Sequence, residues 1–188
     1  MGDGRAGQAS ASHRHIMAFI TALLHTENDA LRVGRVLETL YPCDQILVVD
    51  HGSRDASVRI AREYGARVVD ATGGVSAADY LRSAGFQSAH LQFADPGWIL
   101  CLDPREALTE SLVASLFEWK SESFPGKAPA ASAFSVFLRE ETAEGWVEVP
   151  TAQTRLVPPS WNLWKDRYPA YEASALALEG ELLRFVFP

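Results

Sequence analysis

The apolar residues of this chain form short continuous runs, separated by longer stretches in which they recur at helical spacing. Continuous apolar runs of this length are typical of strands that are buried on both faces of a sheet. Such runs occupy residues 16–24, 46–49 and 98–102, and a further strand is expected at 67–70. Parallel neighbours need a long crossover connection, usually a helix, so strands spaced in this way are expected to pair in parallel.

The stretches between the runs carry the start and stop signals of helices. Asn28 and Ser53 stand where N-caps are expected, and Thr109 does so for a later helix. Gly65 ends the second helical pattern and suits the left-handed C′ position. A weakly patterned segment at 77–93 is also expected to be helical.

After residue 126 the pattern changes from helices to short segments typical of strands. These segments lie at 132–139, 146–149 and 153–157, and an aromatic-rich loop is expected at 161–171. A strand-rich second half favours an antiparallel addition to the parallel sheet. The chain is therefore predicted to be an α/β protein, a three-layer α/β/α sandwich with a mostly parallel sheet and an antiparallel extension.

Length, charge and cysteine content narrow the class of protein. At 188 residues the chain is expected to form one domain, residues 16–188, after a flexible polar tail at 1–15. The net charge of -7 argues against a protein that coats nucleic acid. No apolar run approaches the length of a membrane span. Cys43 and Cys101 are far apart and are expected to be reduced thiols, which favours a cytoplasmic location.

Two carboxylates, Asp50 and Asp103, directly follow apolar runs. We expect them at the carboxyl ends of buried strands, where ligands bind in open α/β sheets. Asp50 is either a ligand-binding group or a turn-former, because Asp-x-Gly is ordinary turn chemistry. His25 either lines the same crevice or belongs to a loop, and His51 is either a ligand contact or an exposed loop residue.

Five segments carry motifs with a definite spacing. They read T-E-N-D at 26–29, V-V-D-H-G-S-R-D at 48–55, A-R-E-Y-G-A at 61–66, W-I-L-C-L-D at 98–103 and Q-T-R-L at 153–156. The chain resembles the family 2 glycosyltransferases in these segments, and especially the branch related to lipopolysaccharide-core glycosyltransferases. The corresponding family motifs are T-x-N-E, V-V-D-x-G-S-x-D, A-R-E-Y-G-A, the strand before D-x-D, and Q-x-R-L.

The resemblance implies a GT-A fold and a nucleotide-diphosphate sugar as donor. It also implies inverting glycosyl transfer to an acceptor glycan or lipid-linked sugar of the cell envelope or a polysaccharide. A cytoplasmic location is expected, with peripheral attachment to the inner face of the membrane as an alternative. The residues it assigns to nucleotide-sugar binding are Thr26, Asn28, Asp50, Gly52, Ser53, Asp103 and Arg105.

The resemblance further implies a divalent metal ion, Mg²⁺ or Mn²⁺, held against the diphosphate by carboxylates. Asp103 and Glu106 are the candidate ligands, and no catalytic residue is assigned. However, the family sequence L-D-A-D-E appears here as L-D-P-R-E at 102–106, so that Arg105 replaces the second carboxylate. Further departures from the family pattern fall at Gln87-Ser88, Thr151 and Tyr171.

These departures leave alternatives open. Arg105 either pairs directly with the diphosphate in place of a metal or is neutralised in a surface ion pair by Asp103 and Glu106. Glu106 either ligates a metal or is a solvated carboxylate at a helix entry. The alternative function is that of a catalytically degenerate homologue, which acts as a nucleotide-binding or protein-interaction module.

Overall fold

The computed structural model describes residues 18–71, 97–122 and 132–187. The tail predicted at 1–15 and the helix predicted at 77–93 lie outside the described residues. The described helices are α1 (Val33–Glu38), α2 (Ser57–Glu63) and α3 (Glu110–Glu122). The described strands are β1 (Ile20–Thr26), β2 (Gln45–Asp50), β3 (Arg67–Asp70), β4 (Trp98–Leu102), β5 (Glu106–Leu108), β6 (Phe134–Thr142), β7 (Gly145–Val157), β8 (Trp164–Lys165), β9 (Tyr168–Pro169) and β10 (Leu176–Arg184).

Eight of these strands form one mixed sheet in the order β3-β2-β1-β4-β7-β6-β10-β5, and β8 and β9 form a separate hairpin. The first four strands are parallel neighbours, as the apolar runs predicted. In their register Thr26 is the partner of Asp50, and Leu24 is the partner of Leu102. The carboxyl ends of β1, β2 and β4 therefore meet at one edge of the sheet, which we call the strand-end edge.

The second half of the sheet adds β7 antiparallel to β4 and β6 antiparallel to β7, so the predicted antiparallel extension is confirmed. The prediction of separate strands at 146–149 and 153–157 is wrong, because Gly145–Val157 is one strand with irregular pairing. Strand β10 was not predicted, and it pairs in parallel with β6. Gly180, at φ 89°, lies where the register of β10 shifts and interrupts its alternation.

The two faces of the parallel strands carry two separate cores. Alternate residues of β1, β2 and β4 pack against the three helices, with Ile20, Leu24 and Leu100 fully buried. The residues between them, including Leu23 and Cys101, contact the aromatic segment that contains the β8–β9 hairpin. Burial on both faces explains why these strands are continuously apolar. The α/β sandwich prediction is thus confirmed.

The helix caps agree with the sequence only in part. Gly65 has φ 77° at the end of α2, and Thr109 Oγ1 accepts a hydrogen bond from the N–H of Leu112 in α3, as predicted. Asn28 and Ser53 are not N-caps, because α1 begins at Val33 and α2 at Ser57. None of the described helices is both long and apolar enough to span a membrane.

Candidate functional site

The strand-end edge brings together most of the residues that the sequence assigned to ligand binding. Thr26, Asp50 and Asp103 terminate or directly follow β1, β2 and β4. Crevices beyond the carboxyl ends of parallel strands are the usual ligand sites of open α/β sheets. The edge has two parts, the loops after β1 and β2 and the turn after β4.

The loops after β1 and β2 are joined by reciprocal hydrogen bonds. The N–H of Asn28 donates to Ser53 Oγ at 2.9 Å, and the N–H of Arg54 donates to Asn28 Oδ1 at 2.8 Å. Asn28 has φ 58°, a left-handed conformation that asparagine tolerates better than most residues. The N–H of Ala30 also donates to Asp55 Oδ2 at 3.0 Å. The Ser53 hydroxyl therefore connects the two loops and does not cap α2.

Asp50 shapes the turn that follows β2. Its carboxylate accepts hydrogen bonds from the N–H groups of Gly52 at 3.3 Å and Ser53 at 3.2 Å, and only 7% of the residue is exposed. Gly52 has φ 93°, which favours glycine at this point. The turn-forming role of Asp50 is therefore present, and a carboxylate in this position has further lone pairs with which to accept a ligand N–H or hydroxyl.

Thr26 is fully buried at the end of β1. Its hydroxyl donates to Asp29 Oδ2 at 3.1 Å, and its carbonyl accepts a hydrogen bond from the N–H of His51 at 2.9 Å. Through these contacts Thr26 connects both loops. Its buried side chain lies beneath the strand-end edge, and its backbone carbonyl contacts the turn after β2.

The turn after β4 carries an ion pair. Arg105 donates from Nε and Nη2 to the two carboxylate oxygens of Asp103, at 2.8 and 3.1 Å. Tyr168 of β9 donates its hydroxyl to Asp103 Oδ2 at 3.1 Å. Burial alone would raise the pKa of Asp103, but these hydrogen bonds and the Arg105 charge outweigh it, so this pKa lies below its ordinary value. Asp103 is therefore an anion with its charge matched by Arg105.

Glu106 lies beneath this turn in a buried charge network. Its Oε1 accepts hydrogen bonds from Arg155 Nη2 at 2.8 Å and Arg184 Nη2 at 2.7 Å, and its Oε2 accepts one from the N–H of Asp103 at 2.9 Å. Glu106 is 0% exposed and belongs to β5. The prediction of a solvated carboxylate at a helix entry is therefore wrong. Of the alternative in which Asp103 and Glu106 both neutralise Arg105, the structure shows the ion pair with Asp103, whereas Glu106 is held by two other guanidinium groups.

The candidate metal ligands do not fit an Mg²⁺ or Mn²⁺ ion. Divalent cations of this kind need several oxygen ligands that are not already neutralised. Both oxygens of Asp103 contact Arg105 or Tyr168, and Glu106 contacts two arginines. Within the described ranges, no three His, Cys, Asp or Glu side chains are grouped so that they could hold a metal ion.

Two histidines pair at the end of β1. His25 Nδ1 and His51 Nε2 are 2.9 Å apart, and the rings stack with centroids at 5.2 Å. Burial, the neighbouring His51 and the charge of Arg167 together lower the pKa of His25 to about 3. Burial and Arg167 also lower the pKa of His51, although Glu27 and Asp50 act in the opposite direction. Both rings are thus neutral near pH 7.

The Glu106 network and Tyr168 were not predicted from the sequence. Arg155 belongs to the Q-T-R-L motif, and its guanidinium lies over the Tyr168 ring at 4.9 Å from the centroid. The Q-T-R-L motif was therefore the feature of the sequence that could have indicated Arg155. It could not identify Glu106 as the partner, because that residue is 49 positions away in the chain.

Comparison with known proteins adds information on the fold. No protein-family model matches the sequence. No curated protein matches it either. Among solved structures, 4-diphosphocytidyl-2C-methyl-D-erythritol synthase aligns over 87% of this chain and 89% of its own, with a TM-score of 0.53 and 16% identity. Two further structures align more weakly.

These two are S. aureus TarS 1-349 and the mannosyltransferase PcManGT from Pyrobaculum calidifontis, solved in complex with GDP-Man and Mn²⁺. TarS 1-349 has a TM-score of 0.42 and 16% identity over 71% of this chain and 38% of that chain. PcManGT has a TM-score of 0.40 and 18% identity over 66% and 36%. The present chain thus spans less than half the length of either protein.

The likeness to the synthase confirms the predicted fold class. The chain has an α/β fold like that of this synthase, with a mixed sheet whose parallel part ends at the strand-end edge. The fold does not by itself fix the reaction, because one scaffold hosts several chemistries.

Proposed function

We propose that this chain is a nucleotide-sugar-dependent glycosyltransferase domain whose donor binds along the strand-end edge. The observation that carries the proposal is the position of the family-like motifs. The segments at 26–29, 48–55 and 98–103 all reach this edge, although they are far apart in the chain. The resemblance in sequence and the α/β fold therefore support the same site.

The nucleoside of the donor lies against the loops after β1 and β2 in this proposal. Asp50 accepts a hydrogen bond from the base or the ribose with its remaining lone pairs, a charge-assisted contact. Asn28, Gly52 and Ser53 form the surface beneath it, mainly through their backbone, and the buried Thr26 supports this surface from below. Because hydrogen bonds between the two loops hold this surface, it needs little reorganisation when the nucleoside binds.

The diphosphate lies over the turn after β4, against Arg105. Asp103 uses the Nε and Nη2 hydrogens that face it, so three of the five guanidinium N–H groups of Arg105 have no partner in the described part of the chain. The Arg105 side chain is 43% exposed and remains accessible. A guanidinium with free N–H groups suits a phosphate oxygen and supplies positive charge that a metal supplies elsewhere. Asp103 positions Arg105 in this arrangement.

Glycosyl transfer itself requires that an acceptor hydroxyl lose its proton to a base and attack the anomeric carbon of the sugar, while the bond from that carbon to the nucleoside diphosphate breaks. Positive charge at Arg105 stabilises the negative charge that grows on the leaving group. The proposed acceptor is a glycan or lipid-linked sugar of the cell envelope or a polysaccharide, and transfer is proposed to invert the anomeric centre. Both cysteines are free thiols, in keeping with the cytoplasmic location that we propose.

A second candidate function is that of a degenerate homologue that binds a nucleotide or a protein without transferring sugar. The observation that favours it is the neutralisation of both acidic groups after β4, Asp103 by Arg105 and Glu106 by Arg155. This arrangement leaves the turn without a free carboxylate for a metal.

Titration calorimetry with UDP, GDP, CDP and TDP tests the shared part of both candidates. At least one of the four is expected to bind, and Arg105→Ala is expected to weaken that binding about tenfold, the effect of one charge-assisted contact. Arg62→Ala, on the exposed surface of α2, is the matched control and should bind as the wild type does. No heat with any of the four would refute a nucleotide site.

Release of the nucleoside diphosphate from the matching nucleotide sugar then separates the two candidates. The enzyme proposal requires release that depends on an added acceptor from a panel of mono-, oligo- and lipid-linked sugars. Tight binding without any release would favour the degenerate module.

A further inference from the structure

His25 carries a buried nitrogen that has no partner. The residue is 3% exposed, and its Nε2 makes no hydrogen bond within the described residues, while Nδ1 lies 2.9 Å from His51 Nε2. An unpaired buried polar atom is uncommon and calls for a reason. Here the reason lies in which ring holds the shared proton.

Two arrangements of protons are compatible with a neutral pair. If His51 donated from Nε2, the only proton of His25 would lie on Nε2, where a buried N–H would have no acceptor. If His25 donates from Nδ1, its unpaired Nε2 carries only a lone pair. Buried N–H groups without an acceptor are rarer than under-used acceptors. We infer that His25 donates, and the remaining proton of His51 then lies on Nδ1, on a ring that is only partly buried.

Arg167 supplies a positive charge beside this ring. It lies in the turn between β8 and β9, directly before Tyr168, whose hydroxyl contacts Asp103. Asp103 follows Leu102, the register partner of Leu24, and is therefore beside His25 at the strand-end edge. Through the contact of Tyr168 with Asp103, the β8–β9 turn lies over this part of the edge. Arg167 is exposed and makes no ion pair with the part of the chain that the structure describes.

We propose that His51 Nδ1–H and the Arg167 guanidinium together bind a phosphate group of a ligand, and that His25 is a positioning residue that fixes the tautomer of His51. A neutral N–H donor beside an unpaired guanidinium suits a phosphate oxygen. The phosphate has two possible sources. If it is part of the donor diphosphate, this inference rests on the proposed function. A phosphate on the acceptor is the other source of the same chemistry.

The charges that face His51 are of both signs. Arg167 and burial disfavour the imidazolium, whereas Glu27 and Asp50 favour it and lie on the side of the loops after β1 and β2. An anion between His51 and Arg167 would offset the charge of Arg167. The proposed donor is the neutral His51 ring, whose Nε2 accepts from His25 Nδ1, so binding does not require protonation of His51.

The test titrates inorganic pyrophosphate into the ¹⁵N-labelled protein and follows the ring nitrogens of histidine by NMR. The free protein should show His51 protonated on Nδ1, and pyrophosphate should shift this resonance. Affinity should fall about tenfold or more in Arg167→Gln, the effect of one charged hydrogen bond. The control Arg62→Gln should leave affinity unchanged.

Variants of His25 separate positioning from simple packing. His25→Asn keeps an N–H near the position of Nδ1 and should retain both the tautomer and the affinity within about threefold, whereas His25→Leu should lose both. A circular dichroism spectrum checks that each variant is folded. His51 protonated on Nε2 in the free protein, or unchanged pyrophosphate affinity in Arg167→Gln, would overturn the inference.

The outcome for this site can be told apart from that for the proposed function. If a nucleoside diphosphate binds but Arg167→Gln binds it equally well, the phosphate site is refuted and the proposed function is not. If pyrophosphate binds through His51 and no nucleoside diphosphate binds more tightly, the proposed function is refuted and the phosphate site is not. Competition between the best nucleoside diphosphate and pyrophosphate assigns the site to the donor, and simultaneous binding assigns it to a phosphorylated acceptor.

Discussion

Replacing Glu106 with glutamine removes the negative charge at the centre of the buried network. Arg155, 3% exposed at its side chain, and Arg184, 21% exposed, would then share one amide oxygen. The amide nitrogen would face either a guanidinium or the N–H of Asp103, and none of these can accept a hydrogen bond. Removing one partner of a buried ion pair costs about 3–5 kcal/mol, because it leaves an uncompensated buried charge.

The free energy of unfolding in urea measures this effect. We expect Glu106→Gln to lower it by about 3–5 kcal/mol with an unchanged dependence on urea concentration. Glu63→Gln is the matched control, because Glu63 pairs with Arg59 at 2.6 Å while both side chains are more than half exposed. Such a surface pair is worth about 0.5 kcal/mol or less. A loss of less than about 1 kcal/mol in Glu106→Gln would refute the view that this network stabilises the fold.

Three further predictions concern other parts of the molecule. Burial lowers the pKa of His25 from 6.5 to about 3, so the folded protein favours the neutral ring. The contribution of His25 to the free energy of unfolding is therefore complete above pH 6.5 and is lost towards pH 3, at up to about 1.4 kcal/mol per pH unit. Urea titrations at pH 7 and 4.5 should show a smaller pH effect in His25→Asn. Gly180→Ala should lower the melting temperature more than Gly145→Ala, since a Cβ at Gly180 would meet the backbone at the start of α3 and one at Gly145 meets nothing within 4 Å; equal melting temperatures would contradict this. Tyr168→Phe should cost about 0.5–1.5 kcal/mol and speed amide exchange in the β8–β9 hairpin, and unchanged exchange would contradict the contact with Asp103.

Local chemistry explains what could be predicted from the sequence. Strands β1, β2 and β4 were found because burial on both faces demands continuous apolar residues, and Gly65 was found because its conformation favours glycine. Their carboxyl ends, and with them Asp50 and Asp103, followed from that pattern.

Contacts over long chain separations explain what could not be predicted. Ser53 has the composition of an N-cap, but its hydroxyl accepts a hydrogen bond from Asn28, 25 residues earlier. Glu106 was expected in solvent because its two arginine partners come from β7 and β10, and the sequence gives no indication that these strands meet there. In each case a tertiary partner overrides a local preference.

We propose that Arg105, and not a divalent metal, meets the diphosphate of a nucleotide sugar at the strand-end edge. The most direct measurement is calorimetry of the best nucleoside diphosphate in EDTA and in Mn²⁺, with wild type and Arg105→Ala. If Arg105 meets the diphosphate, the wild type should bind with equal affinity in both buffers, and Arg105→Ala should bind about tenfold more weakly in EDTA. Binding that strictly requires Mn²⁺ and is unaffected by Arg105→Ala would contradict this proposal.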